Sequence, residues 1–159
     1  MHGAELLSRW RRAEGSGLGR ALFNRALGLA VPYSGSIRPE VLEMRSGHAR
    51  IAMKDRRRVR NHLRSIHAIA LVNLGELTSG LALLTGLRDD TRGIVKGLSI
   101  EYLKKARGRL VAECDCEPPE DSTECDFRVE ATIRDAEGDE VAIVRVDWRL
   151  GPIPESVPS

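Results

Sequence analysis

The chain has 159 residues, 42% hydrophobic and 30% charged, the proportions of a globular domain long enough to bury one core. Twenty-five Lys and Arg against 23 Asp and Glu leave a net charge of +2, which argues against a strongly cationic nucleic-acid binder. Three cysteines, Cys114, Cys116 and Cys125, are odd in number and match no zinc framework, so reduced thiols of a cytoplasmic protein are expected, with no metal and no cofactor.

Residues 1–32 read as two short helices, Ala4 to Ala13 and Leu18 to Leu29, parted by Gly15-Ser16-Gly17. Arg9, Arg11 and Arg12 imitate the basic start of a signal peptide. The apolar run behind them is short and has no clean cleavage site, so no targeting segment is expected. Pro32 closes the second helix, and residues 1–32 are expected to pack on the outside of a larger domain over 33–150. Ser36 to Arg45 is mixed in pattern. His48 to Lys54 alternates, with Ala49, Ile51 and Met53 on one face. A basic run follows: Lys54, Arg56, Arg57, Arg58, Arg60 and Arg64, opposed only by Asp55. It reads either as a solvated loop or as a site for a phosphorylated ligand, and Arg58 and Arg60 are the candidate phosphate-binding residues. The interleaved aromatics that single-strand binders use for stacking are absent, so no nucleic-acid partner is expected.

Asn61 to Leu87 contains the most apolar stretch. From His67 onward it is hydrophobic all the way round, which marks a buried helix or a membrane span. Inside it sits one acid, Glu76, whose charge is costly to bury without a partner or a purpose. The small residues Ala68, Gly75, Ser79, Ala82 and Gly86 fall near one face and point to close packing. The remainder is β: Gly93 to Leu103, Arg109 to Glu117, Cys125 to Asp135 and Glu140 to Leu150 have period-two segments, with a hairpin turn at Ala136 to Asp139. Leu110, Ala112, Cys114 and Cys116 share a strand face, which makes these two thiols core filler. The proline-bearing end, residues 151–159, is expected to be a flexible tail.

Amphipathic strands need one covered face, and only one element is apolar enough to cover it. The expected architecture is α+β, a curved antiparallel sheet wrapped around one long central helix. In this arrangement the apolar helix is core and no membrane span is expected, because a lone span would leave the sheet uncovered.

At this point the residues resemble a known family. Asn61, His67 and Glu76, in the frame N-x5-H-A-x7-E, resemble the active-site region of hotdog-fold acyl-CoA thioesterases. The strand Val95-Lys96-Gly97-Leu98-Ser99-Ile100-Glu101-Tyr102-Leu103 is similar to the one following the helix in that family. Arg60-Asn61-His62 with His67-Ala68, and Glu76-Leu77-Thr78-Ser79-Gly80, are most similar to the thioesterase-like branch grouped as DUF4442. Two departures stand out: His67-Ala68-Ile69 replaces a common His-Gly-Gly, and Arg64 stands where a small residue is frequent.

The resemblance implies a hotdog fold and hydrolysis of an acyl thioester, acyl-CoA or acyl-carrier protein. The alternative is a hotdog module that binds acyl-CoA without cleaving it. It also implies candidate catalytic residues Glu76, Asn61 and His67, with the Ala68 N–H as an oxyanion donor. Nine residues separate His67 from Glu76, about 13.5 Å of rise and half a turn out of phase, so the two cannot meet on one helix. A shared site therefore requires at least a homodimer. A dimer and a tetramer built of such dimers both meet this requirement.

Overall fold

Helix α1 (Gly3–Ala13) and helix α2 (Gly17–Ala30) make an antiparallel hairpin in the computed structural model, which describes residues 2–154. Ser16 caps α2, its hydroxyl oxygen accepting from the Gly19 N–H at 2.9 Å. Trp10 and Phe23 lock the hairpin edge to face, ring centroids 5.2 Å apart. Pro32 ends α2 and also opens a single helical turn, α3 (Pro32–Gly35), where its missing N–H removes no helical bond. A turn at Ser36 and Ile37 follows it, so within the mixed Ser36–Arg45 segment β1 runs only from Glu40 to Arg45. The Asn24 side chain ties α2 to it, Oδ1 accepting from the Val41 N–H at 2.9 Å.

Strand β2 (His48–Met53) follows, then one 3-10 turn at Arg57–Val59, the long helix α4 (Ala68–Gly86), and strands β3 (Thr91–Tyr102), β4 (Leu110–Asp115), β5 (Cys125–Arg134) and β6 (Glu140–Pro152). The six strands form one antiparallel sheet in the order β1-β2-β4-β5-β6-β3. The period-two faces land as their patterns require: Ala49, Ile51, Met53, Leu110, Ala112, Val129, Ala131, Ile133, Val144 and Val146 are all buried. Cys114 is buried and Cys116 partly so, both against the core. Gly138, at φ +90, turns the β5–β6 hairpin. Gly151 and Pro152, expected in the tail, close β6 against Arg92 and Thr91, and residues 155–159 lie outside the described residues.

Helix α4 touches all six strands, so the curved sheet wraps one central helix, the hotdog arrangement. It is long and apolar enough to cross a membrane by composition, and two thirds of it is buried inside the domain. Packing this close depends on its small residues. A Cβ at Gly75 would lie 2.4 Å from Val144 Cγ2, and one at Gly86 would lie 2.8 Å from Pro118 Cγ. The fold thereby brings the start of α4 to the surface beside α3 and the basic run, with Glu76 two turns further along.

Candidate active site

The local chain explains how α4 begins. The Asn61 side chain holds the turn before it: Oδ1 accepts from the Leu63 N–H at 2.9 Å, the Ser65 N–H at 3.2 Å and the Ser65 hydroxyl at 3.2 Å. Those bonds accompany Arg64 in a left-handed conformation, φ +56, which few residues other than Gly adopt. Asn61 is thus positioned in a loop, and its amide nitrogen is the atom left to donate.

His67 is the N-cap of α4. Its Nδ1 accepts from the Ile69 N–H at 3.1 Å, which assigns the ring proton of the neutral imidazole to Nε2. The His67 carbonyl accepts from the N–H groups of Ala70 and Leu71, and the His67 N–H donates to the Val59 carbonyl. At the head of the helix the Ala68 N–H alone has no partner among the described residues. A helix start with one free, outward donor is the arrangement that holds a developing oxyanion.

Glu76 is partly buried and its carboxylate makes no hydrogen bond or ion pair among the described residues. Burial pushes its carboxyl above the ordinary glutamate range. Exposed Ile69 and partly exposed Val72 fall on the same side of α4 by spacing, so Glu76 stands on the one stripe the sheet leaves open. The structure does not bring Glu76 and His67 together within the chain. They lie at different turns and face different directions, as their spacing requires.

A cavity of about 470 Å³ opens between α3, the basic run and the head of α4, lined by Tyr33, Ser36, Arg58, His67, Ile69 and Asn73. Asn73 Nδ2 donates to the Tyr33 carbonyl at 3.2 Å, while its buried Oδ1 has no donor. Ile69 takes part of the space that glycine would leave open. The two candidate phosphate ligands separate here. Arg58 lines the cavity and makes no ion pair among the described residues, whereas the Arg60 Nε donates to Asp55 Oδ1 at 2.6 Å. The Arg60 hydrogen bond, joined by the Gly108 N–H, holds the Asp55 carboxyl below its usual range.

Arg56, not singled out from the sequence, donates to the Ile37 carbonyl at 2.6 Å and ties the 36–38 segment to the basic run. Burial, with the like charges of Arg38 and Arg58 beside it, lowers its pKa. Asp55 precedes both Arg58 and Arg60, so the sequence carries a signal for an ion pair but not for which arginine makes it. None marked Arg56, whose partner is a distant backbone carbonyl.

Residues 19–150 match the family model described as a domain of unknown function, DUF4442. Among solved structures, the chain is similar to the genomics target APC5556, at 27% identity and a TM-score of 0.82, over 93% of this chain and 99% of that one. It is similar in fold to PA5026 of Pseudomonas aeruginosa, a protein of unknown function named a probable thioesterase, at 23% identity and a TM-score of 0.71, over 86% of this chain and 95% of that one. The thioesterase HI1161 of Haemophilus influenzae shares the fold at 15% identity, with a TM-score of 0.68 over 79% of this chain and 87% of that one. No curated protein matches the sequence.

Proposed function

We propose that this chain, which belongs to the DUF4442 family, hydrolyses an acyl thioester of CoA or an acyl-carrier protein at a site shared between two copies of the chain. One observation carries the proposal. The same helix holds an unclaimed backbone N–H at Ala68 and an unclaimed carboxylate at Glu76, in directions that only a second helix can reconcile. The thioesterase names of structural neighbours support the same reaction class.

In this reading the thioester oxygen accepts from the Ala68 N–H of one protomer. Glu76 of the partner subunit, ionised, takes a proton from water as the hydroxyl oxygen attacks the carbonyl carbon. The negative charge collects on the oxygen facing Ala68, where the helix dipole favours it. Collapse breaks the C–S bond, and the departing thiolate takes the proton held by Glu76. The Nε2–H of His67 and the amide nitrogen of Asn61 are the further donors near the helix head. Arg58 receives the phosphates of the carrier.

The second copy joins through β3. This 12-residue strand is paired to β6 along one side only and exposes Ile94, Leu98 and Tyr102, an edge of the kind that pairs with another chain. The free thiols of Cys114, Cys116 and Cys125 fit a reducing, cytoplasmic setting.

The test is Glu76→Gln assayed on a panel of acyl-CoA substrates with a thiol reagent. Turnover is expected to fall at least about 10²-fold, the scale of a positioned proton-transfer group, while acyl-CoA binding persists. Full activity in the variant removes Glu76 from the mechanism. Binding without cleavage by the unaltered protein gives the site to a non-catalytic acyl-CoA module.

A further inference from the structure

Helix α2 is apolar on two opposite sides. Phe23 and Leu27 point inward and are buried. On the other side Leu18, Leu22 and Leu29 recur at helical spacing and are 73%, 60% and 70% exposed, and the stripe continues past the helix with exposed Val31 and Tyr33. Leu18, Leu22 and Leu29 are far along the sheet from the β3 edge and take no part in the site described above, whose cavity the stripe meets at its far end, Tyr33: α2 packs on β1, at the opposite end of the strand order. A contiguous apolar stripe of this kind marks a surface that meets something other than water.

The charges around the stripe say what that is. From Gly15 to Pro39 the sequence has no acidic residue. Arg20, Arg25 and Arg38 line an open groove of about 820 Å³ between α2 and β1, and their guanidinium groups make no ion pair or hydrogen bond among the described residues. Arg11 and Arg12, at the end of α1 beside the Leu18 end of the stripe, are equally unpaired among those residues. The outer face of the sheet contrasts with this, because there Arg128, Arg134, Arg145 and Arg149 are each held by carboxylates. The one acid on the groove, Glu40, is already held by Lys54 at 2.7 Å and Arg109 at 3.3 Å.

From this juxtaposition we propose that the outward face of α2, with the Arg20, Arg25 and Arg38 groove, docks the protein on an anionic phospholipid surface. The leucines enter the acyl boundary and the guanidiniums engage headgroup phosphates, the two components of interfacial binding by an amphipathic helix. A second copy of the chain fits this face poorly. Arg25 lies within the stripe between Leu22 and Leu29, and two-fold packing would set it against its own copy with no acid to neutralise it. Against lipid, its aliphatic stem lies along the apolar stripe while the head reaches phosphate.

The experiment is co-sedimentation with vesicles of phosphatidylcholine alone and with added phosphatidylglycerol, scored for the unaltered chain, Leu18→Ser/Leu22→Ser and Arg25→Glu/Arg38→Glu. The unaltered chain is expected to sediment with the phosphatidylglycerol vesicles at least about tenfold more strongly than with phosphatidylcholine alone, and to be released by salt. Each double variant is expected to lose about tenfold or more of that binding. Unchanged circular dichroism and unchanged hydrolysis of a soluble short-chain acyl-CoA would show that the fold and the separate site survive. No sedimentation, equal sedimentation with both vesicles, or variants that bind as well as the unaltered chain would each overturn the proposal. A smaller solution mass in the leucine variant would overturn it too, assigning the face to a second copy.

Discussion

Burial raises the pKa of Glu76, and the sign of that shift produces two opposite pH dependences. As a base the residue must be ionised, so turnover rises with pH through its raised pKa. Stability runs the other way. Above the ordinary value of 4.5 the unfolded chain has released this proton while the folded chain still holds it. The stabilising difference is therefore present at low pH and is lost as pH rises through the window up to the raised folded value. Glu76→Gln removes the ionisation, so the variant is expected to melt higher than the unaltered chain at neutral pH while losing turnover. Thermal melts across pH, beside the pH–rate profile, check both halves. Arg58 and Arg60 offer a second comparison. Arg58→Glu is expected to raise KM for acyl-CoA about tenfold with kcat nearly unchanged, and to make affinity less salt-dependent. Arg60→Glu faces Asp55 with a like charge, so its effect is expected in the melting temperature more than in KM. Residue identity alone could not separate the two arginines, because the distinction rests on which one Asp55 reaches. The same limit applied to Asn61 and His67. Their types and spacing were legible, but the three bonds onto Asn61 Oδ1 accompany a left-handed Arg64 that no pattern announces, and the Nδ1 cap of His67 rests on which way its ring turns.

The elements themselves were more readable. Period-two alternation located β2, β4, β5 and β6, since each strand has one face on the core and one on solvent. The absence of a polar face located α4, which the sheet surrounds. The failure was at α3, where a proline that reads as a stop also serves as the first residue of a new turn. Small residues on α4 suggested close packing, and Gly75 shows how close. Gly75→Ala would improve helix propensity by about 1 kcal/mol but set its methyl within 2.4 Å of Val144 Cγ2. Overpacking of this kind costs about 1–3 kcal/mol, and Val144 is fully buried with no room to retreat. The net expectation is a destabilised protein. Gly17→Ala at the open start of α2 has nothing within 4 Å of the new methyl and serves as the control, expected to melt within a degree or two of the unaltered chain. Equal melting temperatures for the two variants would mean that α4 and β6 are not held at this separation.

At the scale of the molecule, everything depends on whether one catalytic unit contains one chain or two. The free edge of β3 and the open Ile69–Val72–Glu76 stripe on α4 are both left uncovered by the chain's own packing. In the proposed dimer a second copy set against the β3 edge covers both. The solution mass is then expected to be at least twice the 17.6 kDa of the chain. Mass alone does not prove a shared site, but a pair of complementary variants does. Glu76→Gln removes the base. Ala68→Pro removes the single free N–H at the helix head. It falls at the first helical position, where proline is tolerated, and the preceding His67 already has the extended backbone that proline demands, φ −66 and ψ 140. Each variant alone is expected to fold and to be nearly inactive. Refolded together, they form mixed dimers in which one site draws Ala68 from one protomer and an intact Glu76 from the other, while the second site carries both defects. With random pairing about a quarter of the original activity is expected to return. If each chain carries its own complete site, every site in the mixture keeps one defect and no activity returns. That result would sink the shared site even if the protein proved to be a dimer.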